Sequence, residues 1–192
     1  MTEKLEILPL SHQYFERVII LGDQVHGGGY LTHEILEKIY NKSIKDSICC
    51  SFVMLDGEKV IGFRLTYAPT QWELDQWCSP DLWKLPIEQL CYFKSSTVDS
   101  DYRGKGVAKT MLQASIEAAK LQGAKGGICH TWMQSPGNAA YKYFIGCGGE
   151  LLKTYPDRWL QDSYDGYRCI VCLPDIHCHC DAGEMILYFD KN

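Results

Sequence analysis

No stretch of this 192-residue chain approaches the roughly 20 consecutive apolar residues that a membrane-crossing helix needs. The opening MTEKLEILPL is too short and too charged for a secretory signal, so the expectation is a cytoplasmic protein with no membrane partner. Basic residues are not in excess. The 19 Lys and Arg stand against 24 Asp and Glu, a net charge of -5, which argues against a nucleic-acid partner. Internal repeats, low-complexity runs and linkers are missing too, and the length suits a single domain over residues 1–192. A Gly-x-Ser-x-Gly elbow is absent, so the run His26, Gly27, Gly28, Gly29, Tyr30 does not make an esterase.

What is present is enough apolar material for a core, 46% hydrophobic and 12% aromatic residues, with ten cysteines. In a reducing compartment these thiols read first as small buried hydrophobes. Lys4–Leu8 alternates as a strand. Ser11 stands where it would cap a helix carrying Phe15, Val18, Ile19 and Val25, and Thr32 where it would cap a second through Ile35, Leu36 and Ile39. Gly27, Gly28 and Gly29 make the bend between them. Asp56–Gly57 separates two apolar strands, 47–55 and 59–67, as a hairpin. Residues 68–87, punctuated by Pro69, Pro80 and Pro86, form a partly helical insertion. Its Trp72, Trp77 and Trp83 either wall a site for a cationic amine or cap the core.

A strand at 89–98, a glycine turn, a helix to about Gly123, a strand at 126–132, a helix at 136–147 and a strand from Glu150 follow. Two strands, 167–173 and 185–189, finish the chain. This mixed order predicts an α/β (α+β) fold with a sheet covered by helices.

The sharpest local signal is Arg103, Gly104, Lys105, Gly106, Val107, Ala108, where a strand gives way to a helix. Glycines let the backbone approach a ligand, and the helix-start amides lack internal partners and carry partial positive charge, so a pyrophosphate fits there. It is not a P-loop, because the Lys-Ser/Thr pair is missing. A Rossmann fingerprint fails because position 109 is Lys109.

The run from Val98 to Ala108 resembles the signature of the GCN5-related N-acetyltransferase (GNAT) superfamily, in which Arg103, Gly106 and Ala108 satisfy the central pattern. That resemblance implies the GNAT fold, a mostly antiparallel central sheet flanked by helices. It also implies an acetyl-coenzyme A dependent N-acetyltransferase acting on a primary amine. On this reading Arg103, Gly104, Lys105, Gly106, Val107 and Ala108 hold the coenzyme A pyrophosphate. Thr97 and Val98 pair with the pantetheine arm, and the Val98 amide faces the oxyanion.

Asn138, in Ser135–Ala140, resembles the family asparagine that touches the coenzyme, and equally a residue satisfying local backbone. Counting back from Gly148, the position of the family tyrosine is Phe144; Tyr141 and Tyr143 are close, only one of them could point toward the sulfur, and Tyr143 is the candidate acid. Glu88, at the start of the central strand, is the candidate base.

Near the end, Cys169, Cys172, His177, Cys178, His179 and Cys180 crowd together. Cys172, His177, Cys178 and Cys180 are candidate zinc ligands, set against the reading of a reduced hairpin. The expected partner is a small-molecule or peptide amine acceptor, with cationic ones mildly favoured by the net charge; a homodimer is one assembly the sequence allows. Two other functions stay open: a non-catalytic acyl-coenzyme A sensor and a small zinc-binding interaction protein.

Overall fold

The computed structural model describes residues 5–172 and 177–189 of the chain. β1 (Glu6–Pro9) leads through a 3-10 turn at His12–Tyr14 into α1 (Phe15–His26). Ser11 makes no capping bond, and the helix proper starts one turn after its sequence signal. Thr32 does cap α2 (His33–Ser43), accepting from the Ile35 amide at 3.1 Å.

The stretch expected as one strand, 47–55, divides in two. Asp46 and Ser47 adopt positive φ of 53° and 63° and turn a small hairpin, β2 (Ile44–Lys45) against β3 (Ile48–Cys49). β4 (Phe52–Asp56) then follows Ser51, whose buried hydroxyl takes the Thr66 amide at 2.8 Å and meets Ser43 Oγ at 2.7 Å. Such a hydroxyl must be satisfied, and satisfying it holds the chain off a continuous ladder. Gly57, at φ 57°, turns β4 into β5 (Lys59–Tyr67) as expected.

The insertion contributes 3-10 turns at Pro80–Leu82 and Ile87–Gln89 before β6 (Leu90–Val98). α3 (Val107–Leu121), β7 (Gly126–Trp132), α4 (Ala139–Gly146) and β8 (Glu150–Tyr155) come next, near their expected bounds. A short α5 (Leu160–Tyr164), which the sequence reading missed, precedes β9 (Ala182–Tyr188). The strand expected at 167–173 does not form over residues 167–172, and Leu173 lies outside the described residues.

These strands build one seven-stranded sheet in the order β1-β4-β5-β6-β7-β9-β8. Every pairing is antiparallel except β6 with β7. Helices cover both faces. On one, α1 and α2 press Phe15, Val18, Leu21, Leu36 and Ile39 onto Phe63 and Leu65; on the other, α3 lays Val107 and Met111 against Met54 and Ile61. Each such side chain contributes roughly 1.5–3 kcal/mol by leaving water.

One irregularity positions everything that follows. β6 pairs with β7 only at Leu90, Cys91 and Tyr92, then diverges from it while β7 stays paired with β9 to Trp132. Along its other edge β6 remains on β5, but the register slips between Ser95 and Phe93, leaving Lys94 as a bulge. The parallel pair therefore opens as a wedge at the carboxyl end of β6.

Candidate functional site

The wedge is the mouth of a cleft of about 1040 Å³, lined by β6 from Tyr92 to Val98, by β7 from Cys129 to Trp132, and by segments of α1, α4 and the region before β9. Its first wall is strand backbone. Asp99 donates to Ile61 O at 2.8 Å, and Thr97 is the register partner of Phe63. Peptide groups alternate sides in an antiparallel ladder, so those of Ser96 and Val98 turn away from β5 into the opening. Val98 was expected here; Ser96 was not, because its direction follows from register.

Beyond Val98 the chain reaches the glycine turn. Tyr102 anchors the turn to the β4–β5 corner, its hydroxyl donating to Asp56 Oδ2 at 2.5 Å, and Lys105 Nζ lies 4.9 Å from the Tyr102 ring. Gly104 and Gly106 adopt positive φ of 73° and 81°, and nothing lies within 4 Å of where a Cβ would project. The bond from Thr110 N to Gly106 O, at 3.0 Å, begins the α3 ladder. Ahead of it stand the amides of Val107, Ala108 and Lys109, with no helical acceptor of their own. Arg103 folds back, its Nε donating to Val98 O at 3.2 Å, which ties the turn to the open strand edge.

α4 forms the facing wall. Phe144 is core, 2% exposed and edge-on to Phe93, whereas Tyr143 borders the cleft with its hydroxyl donating to Ala108 O at 2.8 Å. Burial pushes the Tyr143 phenol up to about 12. Asn138 precedes α4 in the left-handed region, at φ 54°, and makes no capping bond; its Oδ1 is buried without a partner. Asn138 does not itself line the cleft, though Ser135, Pro136, Ala139 and Ala140 do.

Beneath this wall lies Arg64, which the sequence reading passed over. It is 2% exposed on β5 opposite Ser96, with its guanidinium 4.9 Å from the Phe93 ring. No carboxylate pairs with it among the described residues. A lone arginine inside the apolar run KVIGFRLTY was the available signal.

On the opposite face, α1 delivers His26. Its Nε2 meets Thr97 Oγ1 at 2.7 Å and its ring stacks on Tyr30 at 4.2 Å, while Tyr30 holds Ser95 Oγ at 2.6 Å. Burial, aided by the Arg103 charge, lowers the His26 pKa to about 4, so the imidazole is neutral at pH 7. His130 is engaged at both ring nitrogens, with Tyr92 and the Trp77 carbonyl.

A stability consequence follows for His26. The unfolded imidazole gains its proton below about pH 6.5 and the folded one only near 4, so full stability above 6.5 is lost progressively as pH falls, by up to about 3 kcal/mol. Thermal midpoints measured from pH 7 to 4 should fall less steeply in His26→Gln than in the parent.

Glu88 is exposed in the 3-10 turn before β6 and does not line the cleft; strand rise alone puts about 20 Å between Leu90, where β6 starts, and Ser96. Trp72 and Trp83 are buried, donating to Leu90 O and to Glu184 Oε1, so these two cap the core. Trp132 and Trp159 line the cleft instead. The cleft carries acids Asp99, Asp101, Asp162 and Asp165 against bases Arg64, Lys94, Arg103 and Arg158, so the chain's net charge is not concentrated there.

Gly27, at φ 108°, lets residues 166–170 close over this side, since a Cβ there would lie 2.1 Å from Arg168 O. Gly27→Ala should lower the thermal midpoint by several degrees, as backbone must move to relieve the clash. Of the expected metal ligands, Cys172, Cys178 and Cys180 converge and are joined by Cys169, while His177 does not join them. His177 lies instead against Tyr164, ring centroids 3.8 Å apart.

Among the described residues, no helix is long and apolar enough to cross a membrane. The profile of the acetyltransferase (GNAT) family matches residues 21–148. Among solved structures the chain is similar to Ard1 from Thermoplasma volcanium, at TM-score 0.69 and 13% identity over 97% of this chain and 99% of that one. It is similar to a chain of the NatC complex bound to Gag peptide and CoA, at TM-score 0.68 and 16% identity over 97% and 99%. The ribosomal-protein-S18-alanine N-acetyltransferase from Escherichia coli is similar at TM-score 0.64 and 13% identity over 98% and 96%. A sequence search of curated proteins gave no match.

Proposed function

Since this chain belongs to the acetyltransferase (GNAT) family, we propose that it transfers an acetyl group from acetyl-coenzyme A to a primary amine by direct attack within a ternary complex. One observation carries the reading: β6 parts from β7 beside the glycine turn, so that the open strand edge from Ser96 to Val98 and the start of α3, through Arg103 and Ala108, border one cleft. The residues suit the cosubstrate. Open space at Gly104 and Gly106, with the amides of Val107, Ala108 and Lys109 behind it, accommodates two linked phosphates, and Arg103 and Lys105 add charge at the rim. The Ser96 peptide groups and the Val98 amide offer a free edge to the extended arm, as a sheet does to an added strand, while the Val98 carbonyl is held by Arg103.

Acetyl-coenzyme A supplies the thioester that an uncharged amine can attack. The amides of Ser96 and Val98 face the point where negative charge builds on the carbonyl oxygen, and preorganised donors of this kind contribute several kcal/mol. His26, neutral and held by Thr97, lines the acceptor half and orients the uncharged amine; at about 4 it is too weak a base to take the ammonium's proton, which passes to solvent before attack. Arg64 provides fixed positive charge on the face where the sulfur departs. Tyr143, at about 12, lies well above the roughly 8.5 of an ordinary thiol and gives its one hydroxyl proton to Ala108 O, so it walls the cleft rather than acting as a proton source for that sulfur. Asn138, whose side-chain carbonyl is buried outside the cleft, is given no contact with the coenzyme in this scheme. Glu88 has no part in this scheme.

The acceptor enters between α1 and residues 158–170. Lys94, on the bulge, lines the cleft without an ion-pair partner among the described residues, which favours an amine acceptor that also bears an acidic group over a polyamine. The NatC complex, bound to a Gag peptide, is a reason to keep peptide amino termini beside small amines in any screen. Calorimetry with acetyl-coenzyme A and a thiol-release assay over such a panel test the reading. Binding with release on at least one amine is expected. Binding with no release would leave a sensor, and no binding would remove the proposal.

A further inference from the structure

Four cysteines stand outside the chemistry described so far. Cys169 and Cys172 come from the bent segment after α5, Cys178 and Cys180 from the run into β9, and their sulfurs all lie within 4.8 Å of one another. Cys180 Sγ is 3.8 Å from both Cys169 Sγ and Cys172 Sγ. That spacing fits a tetrahedral metal centre and not a disulfide. A disulfide needs sulfurs at about 2.05 Å, whereas a tetrahedron with Zn–S bonds of about 2.3 Å has sulfur–sulfur edges of about 3.8 Å.

The surroundings argue against ordinary packing. Cys178 and Cys180 are each 2% exposed, yet none of the four belongs to the apolar core clusters of the described residues. Alternation along the run turns Cys178 and Cys180 inward and His177 and His179 outward, and His179 Nδ1 lies 2.7 Å from Asp157 Oδ1. The described parts of the chain between α5 and β9 pair with no strand and form no helix.

We propose that Cys169, Cys172, Cys178 and Cys180 form a structural zinc site that fastens the C-terminal segment over the acceptor side of the cleft. On entry one zinc ion displaces four thiol protons and binds four thiolates, with no oxidant or reductant needed, leaving a closed centre of net charge -2. The fastening has visible ends. Cys178 N donates to Ser163 Oγ at 3.1 Å and Arg158 N to Cys180 O at 3.1 Å, which joins the cluster to α5 and its cleft-lining neighbours Trp159 and Asp162. Residue Tyr167, two before Cys169, donates its hydroxyl to His26 O at 3.3 Å. The zinc assignment stands on the sulfur geometry alone; only the consequence for the acceptor rests on the acetyltransfer reading.

Elemental analysis of full-length protein, purified without a histidine tag or added metal, is expected to give one zinc per chain. The half-buried positions supply the test variants, since replacing the buried pair risks the fold. Cys169→Ser and Cys172→Ser should each lose most of the zinc while far-ultraviolet circular dichroism stays native, and His177→Ala should keep it. Cobalt exchanged into the site should show the intense thiolate and red bands of tetrahedral cobalt. Zinc content unchanged in both serine variants, or mass mapping that finds these cysteines joined as disulfides in freshly reduced-compartment protein, would overturn the site. With acetyltransfer assayed, the serine variants should raise the acceptor KM several-fold at unchanged acetyl-coenzyme A affinity. An unchanged KM in zinc-free protein would overturn the fastening role without touching the metal.

Discussion

Gly106→Val is expected to weaken acetyl-coenzyme A binding by about 100-fold or more while the sheet stays folded, as removing one or two charge-assisted hydrogen bonds of about 1.5–3 kcal/mol each requires. Gly106 occupies φ 81°, and a β-branched residue there is strained, at a cost of roughly 1–3 kcal/mol. The new side chain meets no protein, because nothing lies within 4 Å of its Cβ. It projects instead into the space the phosphates need, and relieving the strain turns the following amides away. Gly123 is the matched control: it has φ 98°, equally open surroundings and a place at the other end of α3. Gly123→Val should suffer the same kind of strain and keep its affinity. Calorimetry on both variants, with thermal midpoints alongside, separates the two effects, and undiminished binding in Gly106→Val would refute the phosphate assignment.

Such a control can be chosen because the glycine turn is local, and local features were legible in the sequence. Arg103 to Ala108 announces a strand-to-helix turn by residue type alone, Asp56–Gly57 a hairpin, and Thr32 a helix start; each depends on neighbours a few residues away. What escaped was set by register. Whether Ser96 or Thr97 turns its amide to the cleft depends on the Lys94 bulge, and the wedge exists only because β7 follows β9 while β6 follows β5.

Glu88 failed to reach the cleft for a related reason. It sits in the 3-10 turn that leads into β6, at the end of that nine-residue strand farthest from Val98, and sequence proximity to the strand does not say which end does the chemistry. His26 was seen only as part of a glycine bend, since nothing near it in sequence signals Thr97. For the cysteines, composition gave the right neighbourhood, and alternation correctly separated Cys178 and Cys180 from His177; the entry of Cys169 needed the fold of the intervening chain.

Arg64→Met should cut turnover by about 100-fold, the scale on which preorganised charge acts at a reacting centre, with no loss of thermal stability. The two halves of that expectation must be read together. A guanidinium 2% exposed, without a carboxylate partner among the described residues and with its Nε unsatisfied, is costly to bury. Methionine fills similar length, retains contact with the Phe93 ring and removes the charge, so the midpoint should hold or rise. A residue kept only for structure would behave the other way. Arg64 faces the same side of the sheet as its register partner Ser96, and in the proposed mechanism its charge serves the departing sulfur. The loss should therefore fall on kcat, with acetyl-coenzyme A affinity nearly unchanged. Arg64→Lys, which keeps charge but not the planar fork, should recover part of the rate. A turnover number unaffected in Arg64→Met would remove the residue from the reaction and leave its burial as packing alone.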